Sequence, residues 1–405
     1  MKDNWKGELI ENIFNVSSGA GLSEANFKPG SCNVYGGNGI IGFHSECTNK
    51  NIELIIGRVG AHCGNVYLTK KESWITDNAL IISFIDKDVS YNFWYYLLKH
   101  LHLRNYAFQS AQPVITGGIL KRIKVSFPPL PQQQKIAKIL STVDNVIEKT
   151  ESAIAKYQAI KQGLMHDLFT RGIDVNTGKL RPTPQDAPEL YKDSALGLIP
   201  KDWEVEELGS IGEFKNGVNK DKESFGSGTP FVNISDAYPE VLNTSNLSKV
   251  EVTSLEKSIY KLDKGDIIFV RSSVKPSGVG YTTLYEEESH TIIYCGFMIR
   301  FRLDDKINHN PFYYNNYFRY EDFRRRLLCV STVSANTNVN QESLKKLLCI
   351  KPSKEEQIET NLKLISITNK IQTEQQALAK YQQLKAGLLQ DLLTGKVEVK
   401  ITNND

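Results

Sequence analysis

No stretch of this chain fits G-x-x-x-x-G-K-[ST], and without that phosphate cradle a DNA-translocating ATPase is excluded. Neither a nucleophile elbow nor an HExxH pair occurs, so hydrolytic and zinc-protease chemistry has no visible home. The six cysteines (32, 47, 63, 295, 329, 349) contain no CxxC spacing, and they read as small buried hydrophobes of a reducing compartment. His44 and Cys47 upstream of His62-Cys63 come nearest to a metal set, but a second usable ligand pair is missing and no metal is expected. Long apolar runs are also absent. The longest, near Ala79 to Ile85, is far too short to span a bilayer, and MKDNWKGELIENIF carries no signal-peptide core, so a cytoplasmic protein is expected. Charge of one sign is scarce as well: 49 Lys and Arg against 46 Asp and Glu leave +3, too little to coat nucleic acid non-specifically but compatible with local patches. With 405 residues and 40% apolar content, the chain can bury the cores of two or three domains.

What is present is a helix written twice. AIAKYQAIKQGLMHDLFT (153 to 170) and ALAKYQQLKAGLLQDLLT (377 to 394) lie 224 residues apart and agree at 11 of 18 positions. The sequences around the copies are much less alike, so the chain divides into two units, each a variable head followed by the same rod. In the first rod Ile136, Leu140, Val143, Ile147, Ile154, Tyr157, Leu164 and Leu168 alternate at steps of three and four. Leu364, Ile367, Ile371, Leu378, Tyr381, Leu388 and Leu392 do so in the second. That is a heptad seam, interrupted by Thr150 and Lys161 in one copy and by Glu374 and Lys385 in the other, polar positions of the kind that fix register. A rod of about 38 residues is about 57 Å long, and its stripe needs a partner. The expectation is two antiparallel rods related by a pseudo-twofold, against the alternative of a rod packed only on its own head.

Punctuation sets the boundaries. A first head runs from 1 to 130, with strands near Ile52 to Ile56, Ala79 to Phe84 and Ile123 to Phe127 and a helix near Tyr91 to Arg104, and it stops at Pro128-Pro129-Leu130-Pro131. The first rod follows at 131–172, a Pro- and Gly-rich connector at 173–200, a second head at 201–352, the second rod at 353–396 and a tail at 397–405. Trp203 opens the second head as Trp5 opens the first; Asp266 to Val270 reads as a strand and Phe312 to Leu328 as one helix. The fold class is α/β or α+β in both heads, separated by a coiled coil.

Gly37-Asn38-Gly39-Ile40-Ile41-Gly42 matches G-x-G-x-x-G but leads into Phe43-His44-Ser45-Glu46 instead of a helix, which removes a dinucleotide site. Asn310-Pro311-Phe312 lacks the second proline of an amino-methyltransferase loop and reads as a helix start. The remaining polar hardware suits nucleic acid. In the first head it comprises the turn with Tyr35, Gly37 and Asn38, Arg58 at a strand exit, and Gln112 and Thr116 before the last strand. In the second it comprises Arg271, Ser272, Ser273 and Lys275 at a strand exit, with Asn338 and Asn340 before the last strand. Arginine takes guanine bidentately, Asn or Gln takes adenine, and Ser, Lys and backbone amides hold phosphate. Any one of these residues alone would read as a solvated loop position; their recurrence in both heads raises the set. Arg324-Arg325-Arg326 reads as a solvated or phosphate-facing helix side.

The proline-led FPPLPQQQKIAKILSTVD, the rod end GLMHDLFTRGI with its connector PELYKDSALGLIPKDWEVEELG, the loop NVYGGNGIIGFH and the terminal GLLQDLLTGKVEV resemble, over nearly the whole chain, specificity subunits of type I restriction-modification enzymes. The resemblance implies two target recognition domains held apart by two helices, each reading one half of a split double-stranded DNA sequence, with half-sites about 34 Å apart. It also implies two methylation subunits carrying S-adenosylmethionine and two restriction subunits using ATP and Mg, with no cofactor, no catalytic residue and no membrane contact on this chain. The second rod departs from the pattern: KPSKEEQIETNLKLI lacks the double proline. The rival readings are a stand-alone DNA methyltransferase or nuclease, against which the missing cofactor loop counts, and a coiled-coil adaptor that binds no nucleic acid.

Overall fold

The computed structural model describes residues 4–86, 88–108, 112–288, 291–333 and 336–401. The two rods form as continuous helices, Leu130–Thr170 and Lys354–Leu393, each about 60 Å long at 1.5 Å per residue. All fifteen seam positions read from the heptads are buried or half-buried. The rods do not segregate as separate domains. Two compact units cut across them: Met1–Ala153 with Glu374–Asp405, and Ile154–Thr373. Each unit therefore joins one head to the beginning of its own rod and the end of the other, because a single amphipathic helix buries its stripe only against a second one.

In the first unit the antiparallel pairing is fixed by the Lys385 ammonium on the Asp144 carboxylate, which also accepts from the Tyr96 hydroxyl at 2.7 Å. In the second unit Lys161 donates to Thr368 Oγ1 at 2.7 Å and pairs with Glu240. Lys161 and Lys385 are equivalent across the repeat, as are Asp144 and Thr368, so this is one contact made twice. Of the polar breaks in the seam, Lys161 and Lys385 thus hold the register, whereas Thr150 donates to the Val146 carbonyl of its own helix at 2.8 Å.

The heads share a topology. The first has a four-stranded antiparallel sheet in the spatial order Phe14–Ser18, Ala79–Phe84, Leu54–Gly57, Val66–Leu68. The second repeats it as Gly212–Asn216, Met298–Leu303, Ile267–Val270, Thr282–Leu284. A second sheet of three strands carries one parallel pair in each head, Cys32–Gly36 beside Ser73–Ile75 and Phe225–Val232 beside Ile293–Tyr294. The first and last strands of each head close it, Lys6–Leu9 on Lys124–Phe127 and Glu204–Glu207 on Leu348–Lys351. Trp94 and Phe14 centre the first core, with Leu140, Leu392 and Leu393 from the rods. Trp203, Tyr313 and Phe318 centre the second, with Leu168, Phe169 and Leu364.

Rod to head, the tie is a buried glutamine used twice. Gln133 donates from Nε2 to the Pro128 carbonyl at 2.9 Å and accepts the Ser90 amide at 3.3 Å. Gln357, its equivalent, donates to Pro352 and Asn308 at 3.0 and 3.1 Å and accepts the Asn310 amide at 2.8 Å. Ser90 and Asn310 are the N-caps of Tyr91–His100 and Pro311–Arg319, so each rod start is stapled to the main helix of its head. The second rod, without its double proline, is started by Ser353, whose Oγ accepts the Glu356 amide at 3.2 Å. At Gly172, φ is +64° and a Cβ would strike the Trp203 ring at 2.4 Å, so the first rod can end only on glycine there.

Three expectations need correction. The helix read from Phe312 to Leu328 is two, Pro311–Arg319 and Glu321–Cys329, broken where Tyr320 turns extended and its hydroxyl meets His166 at 2.9 Å. The cysteines are not uniformly small buried hydrophobes: Cys32 and Cys47, brought within 5.7 Å at the Cα atoms by the hairpin between them, form a disulfide, and Cys329 is exposed. The arginine run is not a solvated side. Arg324 donates to the Ser277 and Val279 carbonyls and Arg326 to the Leu348 carbonyl and Tyr317 hydroxyl, leaving only Arg325 on the surface.

Candidate nucleic-acid interface

Arg58 leaves the strand Leu54–Gly57 and Arg271 leaves Ile267–Val270, the matching strand of the other head. Their backbones are held alike. The Arg58 amide donates to Asn78 at 2.9 Å and its carbonyl accepts from Ile115 at 2.9 Å; the Arg271 amide donates to Phe297 at 2.8 Å and its carbonyl accepts from Val339 at 3.0 Å. Among the described residues neither side chain is tied to a carboxylate: Arg58 Nη1 reaches Ser18 Oγ at 3.3 Å and Arg271 Nη1 the Gly296 carbonyl at 3.4 Å, long bonds to neutral acceptors.

Just beyond each arginine lies a three-segment miniature sheet. In the second head Ser272–Ser273 pairs with Thr337–Asn338, which pairs with Thr332–Val333. In the first head Val59 bridges Val114, which bridges Phe108. The caps then fix the correspondence: Thr116 accepts the Ile119 amide at 3.3 Å and starts Gly117–Lys121, while Asn340 accepts the Ser343 amide at 2.8 Å and starts Gln341–Lys345. Counting back from the caps sets Gln112 against Asn336, two amides in register, and Asn338 against the apolar Val114, so Gln112 and Asn338 are not equivalent positions.

The candidate residues separate by environment. Asn38, Gln112 and Lys275 are exposed, and Arg58, Gly37, Arg271, Ser273 and Asn338 half-exposed, on the strand-exit side of their heads. Asn38 accepts from the Tyr67 hydroxyl at 3.4 Å, and Asn338 donates to the Asn336 carbonyl at 3.0 Å. Tyr35 is a correction: it is 4% exposed, and its hydroxyl accepts the Lys70 amide at 2.9 Å, because its position on the Cys32–Gly36 strand points into the core. Ser272, at 7% exposure, is likewise a packed strand residue. Thr116 and Asn340 keep their side-chain oxygens occupied as caps. The sequence reading missed Phe108, 75% exposed beside the Arg58 loop, and Val274, 80% exposed beside Arg271. A large apolar residue inside a polar loop was the available signal. Among the described residues no group of three or more His, Cys, Asp or Glu is placed to hold a metal, and no helix is long and apolar enough to cross a membrane.

Two heads of one topology, each presenting beside a small sheet an arginine with no carboxylate partner among the described residues and each packed on segments of both rods, define a duplicated recognition protein. The chain belongs to the family described as the type I restriction modification DNA specificity domain, whose profile matches residues 2–157 and 200–383. It is 26% identical over 381 residues to the type I restriction enzyme MjaVIII specificity subunit of Methanocaldococcus jannaschii, covering 90% of this chain and 85% of that one. It is 29% identical over 317 residues to the putative MjaX specificity subunit of the same organism, covering 75% and 68%. Its fold is that of the type I restriction-modification S subunit from M. genitalium, with a TM-score of 0.62 over 99% of this chain and 98% of that chain at 16% identity. Sequence-specific DNA recognition within a restriction-modification complex, and not catalysis, is thus its function.

Proposed function

We propose that the chain reads a split DNA target, the first head taking one half-site and the second head the other, while the rods keep the unread spacer constant. The observation that carries this reading is the repeated strand-exit arginine, held by the same two main-chain bonds in both heads and without a carboxylate partner among the described residues. An arginine held at a loop edge through its main chain, with its guanidinium half-exposed and without a counter-charge, suits phosphate or a guanine edge. Arg58, Asn38 and Gln112 serve the first half-site, and Arg271, Ser273, Lys275 and Asn338 the second. Phosphate contacts set the register and base contacts the sequence. Two methylation subunits supply S-adenosylmethionine and methyl transfer, two restriction subunits supply ATP- and Mg-dependent translocation and cleavage, and assembly takes place in the cytoplasm. Methylome sequencing of the host tests the reading directly. A modified motif in two parts separated by unspecified bases is expected; a continuous motif, or none that depends on this chain, would overturn it.

A further inference from the structure

Behind the segment Val274 to Gly278 of the second head lies a cavity of about 860 Å³. Its rim is apolar and accessible, with Val274, Phe297 (55% exposed) and Tyr238 (42% exposed) around the mouth. Tyr281 stands further in, its ring 5.7 Å from that of Tyr238. Two guanidiniums lie over that one ring, Arg319 at 5.2 Å and Arg324 at 4.0 Å from its centroid.

Main-chain carbonyls orient both charges; the Glu240 carboxylate, which also pairs with Lys161, acts on Arg319, whereas Arg324 has no carboxylate partner among the described residues. Arg319 donates to the carbonyls of Thr282 and, at 2.9 Å, Tyr238; Arg324 donates to the carbonyls of Ser277 at 2.7 Å and Val279 at 3.0 Å. Arg324 Nη1 is buried without a partner among the described residues. Burial, and secondarily the Arg319 charge, lower the Arg324 pKa, the direction expected where a cation lacks a counter-ion. Lys275, exposed at the rim, adds a third positive charge. A backbone phosphate alone would be satisfied at the surface, whereas a volume of this size suits a whole small ligand. Aromatic walls select a planar group, and the excess of cations over the one shared carboxylate selects an anion.

We propose that this pocket takes one unstacked nucleotide of the DNA bound by the second head, its base against Phe297 and Tyr238 and its phosphate toward Arg319 and Lys275. The proposal rests on the DNA-recognition reading above and gives that site a deeper subsite. The probe is a deoxynucleoside monophosphate titrated into the full chain by calorimetry. Saturable binding is expected, with inorganic phosphate at least about tenfold weaker. The exposed-rim variant Phe297→Ala should weaken the mononucleotide about five- to 150-fold, the cost of losing one base-stacking partner, at an unchanged melting temperature. No saturable binding into the millimolar range, or an affinity unmoved by Phe297→Ala, overturns the pocket. In the complex assembled with methylation subunits, cognate split-site duplex should displace the mononucleotide; a mononucleotide that stays bound beside the duplex overturns its assignment to DNA. A duplex bound specifically and in an Arg271-dependent way by a chain that never binds the mononucleotide removes the pocket and leaves the recognition reading standing.

Discussion

Arg58→Ala and Arg271→Ala separate reading from folding, because the structure makes the two costs unequal. Within the fold, each substitution removes one long hydrogen bond, 3.3 Å to Ser18 Oγ or 3.4 Å to the Gly296 carbonyl, and no ion pair. Such a bond contributes under about 1 kcal/mol, which for a unit of this size shifts the melting temperature by less than about 4 °C. On DNA the loss is larger. A bidentate arginine on guanine is worth about 1 to 3 kcal/mol of discrimination, so affinity should fall about five- to 150-fold and specificity should relax in one half-site only. If the contact is to phosphate, affinity falls evenly across sequences and the salt slope drops by about one unit. The assay is affinity of the assembled complex for the cognate duplex and for duplexes scrambled in either half, at several salt concentrations, beside a melting curve. Each side chain bonds within its own head, so the double variant should show the sum of the single effects. Full affinity with a lowered melting temperature would refute the assignment, and the equivalence of the two positions would carry both residues off the interface together.

Replacing residues 1 to 128 by the head of a relative should change one half of the modified motif in methylome sequencing and leave the other half and the spacer intact; change in both halves would count against separate readers. Four residues inserted near Ser152, close to where the first rod passes from one compact unit to the other, add about 6 Å and about 40° of helix. A lengthened spacer or lost activity with unchanged half-sites is expected, and an unaltered motif would show that the rods do not set the gap. Gln357→Leu leaves the Asn310 amide and the Pro352 and Asn308 carbonyls without their partner, costing about 2 to 4 kcal/mol. Hydrogen exchange should show the loss within 154–373, with Gln133→Leu mirroring it in the first unit, and equal loss of protection in both units from either variant would refute a local tie.

The rods were legible because their information is periodic and repeated: fifteen seam positions could be read from steps of three and four, and all of them found cover. Strands such as Ala79–Phe84 were legible as short apolar runs between turn residues. Two kinds of feature were not. Long-range polar ties, such as Gln133 reaching the Ser90 amide across the first head, have no local pattern, since the same glutamine in an exposed helix would look identical. The Cys32–Cys47 pair depends on a hairpin that returns the chain on itself, and spacing alone gave no reason to join those two out of six. At the interface, residue type was a better guide than residue position. The arginines at the strand exits held their place in both heads, whereas Tyr35 and Ser272 were claimed by the sheet, and Thr116 and Asn340 by helix caps, roles that serve the fold before any ligand arrives.

The two halves of the repeat differ in where their constraints come from. Lys161 and Lys385 occupy equivalent positions and meet Thr368 and Asp144, which are equivalent to each other but differ in type. Gln133 and Gln357 are equivalent as well. These lysines and glutamines bond to partners inside the chain, and both pairs keep their residue type. Phe108 stands where the other head has Thr332, and Gln112 where it has Asn336, although the mini-sheets that carry them are the same. On the proposed reading, side chains that meet DNA have no reason to agree between two heads that take different half-sites. Heads that vary on rods whose internal contacts are duplicated are what a protein needs if it is to acquire a new half-site without losing the geometry that holds the other.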